Sequence, residues 1–229
     1  MIQENLLSVS WFRPELVLTA GIMLMFLLDL FWKKSPSRVL ILTLAALLVL
    51  GVAAVFLSAQ PAEPRVLFNG MIASDPFATF FKWLFLSAAA LTVLIAARSS
   101  EFGPDEIGVF YPLLFSIVLG MCLMASTTDL LMMYLAVELV SLVSYAMAGY
   151  RKGDRKAGEA ALKYVIYGGV ASGVMLFGMS YLFGITGTTS LPTMMAKLQP
   201  MITSPLAIAG LGMMFAGLLY KLAVFPFHF

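Results

Sequence analysis

The sequence predicts an all-α membrane protein with about seven transmembrane helices. Three observations lead there. The chain of 229 residues is 61% hydrophobic and only 11% charged, against roughly 45–50% apolar and 25% charged in soluble domains. Seven mostly apolar stretches each meet the length of about 20 residues that a helix needs to cross a hydrocarbon core of roughly 30 Å. No ten-residue alternating pattern points to a barrel, and open strands would leave backbone polar groups unpaired in lipid.

The spans run approximately over 14–32, 39–59, 76–97, 107–126, 129–150, 158–184 and 205–229. Before them, Met1 to Phe12 has no basic n-region and no small-residue cleavage site follows, so a removed signal peptide is not expected. Lys33-Lys34-Ser35-Pro36 ends the first span, Gln60-Pro61-Ala62-Glu63-Pro64 ends the second, and Gly103-Pro104-Asp105 precedes the fourth. Ser126-Thr127-Thr128-Asp129 is a short turn in which Asp129 is placed to cap the fifth helix. Spans four and five are expected to pack as an antiparallel hairpin. The chain divides into a four-span region, 1–126, and a region of spans five to seven, 127–229.

Basic loop residues set orientation. One side holds Lys33, Lys34, Arg38, Arg98, Arg151, Lys152, Arg155 and Lys156; the other holds Arg13, Arg65 and Lys197. The richer side is expected in the cytoplasm and the N-terminus outside. A formal charge of +2 with scattered bases argues against a nucleic-acid partner. The single cysteine, Cys122, lies in an apolar run and reads as a packing thiol.

Ionisable side chains inside spans are costly and usually face a protein interior or a water-filled path. Glu138 sits nine residues past Asp129, roughly 13 Å into the membrane at 1.5 Å per residue. Tyr134, Ser141 and Tyr145 share its helix face. A proton-path carboxylate is the favoured reading over a protonated carboxyl used as helix glue. Lys163 pairs by spacing with Glu159, four residues earlier, and stands evenly between a snorkelling side chain and a functional one. Lys221 follows a long uncharged run and precedes Pro226, the pattern of a broken helix lining a cavity, and reads as a proton-exchanging lysine. His228, just past the break, reads equally as a proton relay or a packing residue. Lys82, beside Trp83 and nearer an interface, is expected to snorkel, and Asp29 with Lys33 to form a local ion pair.

The chain contains no phosphate-binding glycine loop, no cysteine or histidine ligand cluster and no nucleophile–base pair. No redox chemistry and no cofactor are therefore expected in this chain. Gly169-x-x-x-Gly173, with Gly168, Ala171 and Ser172, suggests a close-packing helix face.

At these residues the sequence resembles subunit N of the proton-pumping NADH–quinone oxidoreductases, bacterial complex I. The matching runs are Pro14-Glu15-Leu16, Asp129 to Leu139, Ala148-Gly149-Tyr150-Arg151, Glu159 to Tyr164 and Tyr220 to His228. The resemblance implies the first part of an antiporter-like fold of inverted repeats with a broken seventh helix. It makes Glu138 the buried glutamate of the fifth span, Lys221 its lysine partner on the seventh, and Lys163 the sixth-span lysine. Val137, where sibling pump subunits carry tryptophan, favours subunit N. The resemblance implies a subunit of the bacterial inner membrane that couples NADH-to-quinone electron transfer to proton translocation. Its neighbours would be the antiporter-like subunit M, the small subunit K and the lipid bilayer. NADH, flavin, iron–sulfur clusters and quinone would bind in other subunits. Family members are much longer, so a C-terminally truncated fragment is expected. The alternatives are a subunit of a multi-subunit cation/proton antiporter, or an inactive membrane piece.

Overall fold

The structure is a computed structural model that describes residues 2–33, 35, 37–61, 63–99, 106–151 and 153–227. Lys34, Lys152, His228 and the Gly103-Pro104-Asp105 turn lie outside the described residues. Among the described residues six helices are long and apolar enough to cross a membrane, and a seventh apolar helix is shorter. The chain is a multi-pass helical membrane protein. It divides into two compact units, Met1–Thr127 and Thr128–Phe229.

The first unit opens with α1 (Ile2–Trp11), a helix that no membrane-length apolar run announces. It continues through α2 (Arg13–Trp32) and α3 (Arg38–Ser58). A short antiparallel hairpin follows, β1 (Arg65–Leu67) with β2 (Ile72–Ser74). Its turn places Phe68, Asn69 and Gly70 at positive φ. Then come α4 (Pro76–Arg98) and α5 (Ile107–Ser126). The Asp75 carboxylate accepts from the Ala78 amide at 2.7 Å and so satisfies one free N–H at the start of α4. In this unit α2 packs on α3 and α5, and α4 packs on α3 and α5. Leu18, Met25, Leu42, Tyr111 and Phe115 are fully buried there, and Cys122 is a buried thiol.

The second unit contains α6 (Leu130–Ala148), α7 (Arg155–Thr186), α8 (Leu191–Leu198) and α9 (Pro205–Lys221). Asp129 caps α6 as expected, accepting from the Leu131 and Met132 amides at 2.9 and 3.1 Å. The segment after α7 is tied back to the start of α6. The Leu130 amide donates to the Thr189 carbonyl and the Leu191 amide to the Thr128 carbonyl. Lys197 of α8 donates to the Thr186 carbonyl at 2.8 Å, where the last turn of α7 leaves acceptors free.

Within the first unit α5 packs on α2, α3 and α4. Within the second, α6 packs on α7 and meets Lys221 of α9.

The helices α7 and α9 meet backbone against backbone. A Cβ added to Gly178 would meet the Met214 amide nitrogen at 2.5 Å and the Gly210 carbonyl at 2.6 Å. One added to Gly217 would meet Met175 Cβ at 2.5 Å and the Ala171 carbonyl at 2.8 Å. Small residues let backbones meet where lipid gives no hydrophobic drive for helix association. The expected Gly169-x-x-x-Gly173 motif is not the one used: both glycines face open space. Ala171, Met175 and Gly178 face α9 instead, and Gly168 faces Tyr145 of α6.

Candidate functional site: a caged ion pair in the second unit

Glu138, Ser141 and Tyr145 occupy one face of α6 because residues three, four and seven apart align on a helix. Lys221 is the last residue of α9 and points at that face. Its Nζ donates to Ser141 Oγ at 2.7 Å and to the Tyr145 hydroxyl at 3.0 Å, and lies 3.3 Å from Glu138 Oε1. Two hydroxyl oxygens thus accept from the ammonium, and the carboxylate lies against it as its ion-pair partner. The Ser141 hydroxyl donates to the Val137 carbonyl at 2.8 Å, so its oxygen is left to accept from the lysine. The ammonium also lies 5.5 Å from the Tyr145 ring centroid. Glu138 and Lys221 side chains are 18% and 14% exposed, enough shelter to strengthen their attraction yet not sealed.

A fourth group was not singled out for this role from the sequence. Ser172 of α7 donates to the same Glu138 oxygen at 2.5 Å. Its place beside Gly168 and Ala171 marked it as packing surface, whereas it is the hydrogen-bond donor that faces α6. Gly168 serves the same cage differently, since any side chain there would occupy the space of the Tyr145 hydroxyl. The Tyr164 ring stands edge-on to Tyr145, with centroids 4.6 Å apart. Tyr134, the remaining member of the polar face, packs against the apolar core of this unit.

The end of α9 is a built break. The Ala223 amide donates to the Tyr220 carbonyl and the Val224 amide to the Leu219 carbonyl, both at 3.0 Å. With Ala223 at φ 50°, this is the Schellman pattern, in which glycine is usual at the left-handed position. The expected seventh span, 205–229, therefore becomes a helix that stops at Lys221, followed by a non-helical segment through Phe227. The negative end of the helix dipole sits at the lysine, which favours its positive charge.

Lys163 is not part of this cluster. Its Nζ is 2.6 Å from Glu159 Oε1, and both side chains are well exposed. His228, the suggested relay, lies outside the described residues.

Two expectations for the first unit are overturned. Lys82 does not snorkel; it is buried and its Nζ lies 2.6 Å from Glu15 Oε1, the side chains being 5% and 1% exposed. A buried carboxylate on α2 holds the lysine inside more strongly than the interface draws it out. Asp29 does not pair with Lys33 but accepts from Arg38 Nε at 2.8 Å, because Arg38 opens α3 beside the end of α2. Among the described residues no cluster of three or more histidine, cysteine or acidic side chains is placed to hold a metal ion.

Residues 127–229, the segment that carries the caged pair, match the family described as NADH:quinone oxidoreductase/Mrp antiporter, TM. Along its whole length the chain resembles NADH-quinone oxidoreductase subunit N. It is 56% identical to that subunit from Anaeromyxobacter sp. (strain Fw109-5), covering 100% of this chain and 46% of the relative. It is 39% identical to subunit N 2 of Sorangium cellulosum (strain So ce56), covering 98% of this chain and 47% of that one. Among solved structures, a chain of respiratory complex I from Thermus thermophilus matches with TM-score 0.72 and 33% identity, over 94% of this chain and 45% of that one. A chain of the archaeal membrane-bound sulfane sulfur reductase shares the fold, with TM-score 0.77 at 23% identity, over 96% of this chain and 46% of that one. The chain spans about half the length of the relatives it matches.

Proposed function

We propose that this chain supplies a proton-translocating part of a membrane-arm subunit of an NADH–quinone oxidoreductase. The observation that carries the reading is the caged lysine: Lys221 at a helix break, held by Glu138, Ser141 and Tyr145. An ammonium held inside a membrane unit by one carboxylate and two hydroxyls is suited to passing a proton on. Drawing Glu138 away breaks the ion pair, and the proton passes from Nζ to the next acceptor. Returning it favours uptake of a proton from the other side. Breaking the Schellman turn or shifting α6 against α7 are the motions that would separate the pair.

The energy for that separation would come from electron transfer between NADH and quinone in other subunits, where flavin, iron–sulfur clusters and quinone bind. The bacterial inner membrane is the setting, with the N-terminus outside as the basic loops indicate. Subunits M and K are the proposed neighbours. Lys163, ion-paired with Glu159 on α7, is the further lysine proposed for the path, and His228 a relay.

The test is NADH-driven proton pumping by the complex carrying Glu138→Ala or Lys221→Ala. Both substitutions are expected to lower the proton-to-electron ratio. Pumping at the normal ratio in both variants would falsify the reading.

A further inference from the structure

We infer that the end of the first unit around Trp11 binds the headgroup of a phospholipid that carries both a phosphate and a hydrogen-bond donor. Trp11 ends α1, Arg13 opens α2, Gln60 and Pro61 follow α3, and Arg65 opens β1. Since α2 and α3 are membrane-length helices, this end lies where hydrocarbon gives way to headgroups. Gln60 Nε2 donates to the Trp11 carbonyl at 2.6 Å and fastens the two helix ends together. Tryptophan is the residue suited to that depth, with an apolar ring and one polar edge.

Two openings share Trp11. One, of about 370 Å³, is lined by Leu7, Ser8 and Arg65; the other, of about 160 Å³, by Arg13, Phe56 and Gln60. The Arg65 guanidinium lies 4.6 Å from the Trp11 ring, and that of Arg13 lies 5.8 Å from the Phe56 ring. Stacking on a ring occupies the flat face of a guanidinium and leaves its N–H edge free for an oxyanion. Glu63 lies 3.8 Å from Arg65, but both side chains are exposed, so the pair is weak and exchangeable. On the other side the lining is acceptor chemistry. Among the described residues Gln60 Oε1 is buried with no hydrogen-bond partner. Its amide orientation is set by the bond from Nε2 to Trp11, so among the described residues this oxygen is left as an acceptor that a headgroup donor would satisfy.

A phosphate for the arginines and an N–H or O–H for Gln60 together describe an ethanolamine or glycerol headgroup. Choline has a phosphate but no such donor. The apolar Val66 and Leu7, both exposed beside the larger opening, suit the start of the acyl chains.

The complex carrying this chain is to be purified from membranes and equilibrated with vesicles of phosphatidylethanolamine, phosphatidylglycerol and phosphatidylcholine in equal parts. Retained lipid is then counted by native mass spectrometry. The wild type is expected to hold one more phospholipid than the variant with Arg13→Gln and Arg65→Gln. It should prefer the donor-bearing headgroups over choline by on the order of tenfold, the size of one good hydrogen bond. Gln60→Ala should keep the lipid and lose the preference. Equal retention by the arginine variant, or choline lipid held as well as ethanolamine lipid by the wild type, overturns the assignment. Should the arginine variant fail to assemble, Gln60→Ala decides alone, and an unchanged preference overturns it.

Discussion

Ser172 and Lys221 meet on the same oxygen: both address Glu138 Oε1, the serine at 2.5 Å and the lysine at 3.3 Å. The two donors come from different helices, α7 and α9, and the shorter contact belongs to the neutral one. Glu138 is thus anchored to α7 while Lys221 is anchored by Ser141 and Tyr145 to the same helix that carries the glutamate.

Ser172→Ala tests that anchor. A hydrogen bond to a charged group contributes about 1.5–3 kcal/mol, and its loss leaves the carboxylate held by the lysine alone. The expected outcome is an assembled complex with slowed NADH-driven proton pumping. Ser172→Thr, which keeps the hydroxyl, should restore much of it. Equal pumping by the wild type and the alanine variant would reduce Ser172 to a packing residue.

The distance between the partners depends on how closely α9 lies against α7. Gly178→Leu puts a side chain where a single Cβ already meets the Met214 amide at 2.5 Å. Overpacking of this kind costs about 1–3 kcal/mol and moves backbone. The variant should lower the thermal stability of the solubilised complex and weaken pumping together. Gly173→Leu, on the open face of the same helix, should do neither in this unit.

Much of this was legible in the sequence, for reasons that particular residues make plain. Long apolar runs located every membrane-length helix, since span length is set by bilayer thickness. Asp129 announced the start of α6 because an acceptor is needed there whatever the fold. The polar face of Glu138, Ser141 and Tyr145 was visible because helical spacing is local. What was not legible depends on partners from elsewhere in the chain. Gly169 and Gly173 have the right spacing for packing, yet rotation of α7 turns Gly178 inward instead. Lys82 was read from its neighbour Trp83, whereas its fate is decided by Glu15 on another helix. A lone acid near the start of one span and a lone base near the start of another were the available signal.

The break after Lys221 places a non-glycine residue, Ala223, at φ 50°. A left-handed alanine costs roughly 1–2 kcal/mol through its Cβ, part of which glycine returns in unfolded-state entropy. Ala223→Gly is therefore expected to raise thermal stability by up to about 1 kcal/mol, measured by unfolding of the solubilised protein. Ala223→Val should lower it, since a branched side chain fits this conformation worse. If both variants unfold with the wild type, the turn is not under backbone strain.

Glu15 and Lys82 give the sharpest stability test, because both are buried and each is the other's charge partner. Removing one leaves an uncompensated charge in the bundle, at a cost of about 3–5 kcal/mol, while replacing both with apolar residues of similar size is often neutral or stabilising. Among the described residues Glu15 Oε2 has no hydrogen-bond partner, so the double replacement also removes a buried unsatisfied acceptor. Glu15→Leu alone and Lys82→Met alone are thus expected to reduce assembled complex sharply on native gels, with Glu15→Leu/Lys82→Met near wild-type abundance. Because this pair belongs to the first unit and the caged lysine to the second, the double variant should pump protons normally once assembled. Loss of pumping in a stable double variant would mean that the pair takes part in charge movement rather than only in fastening α2 to α4.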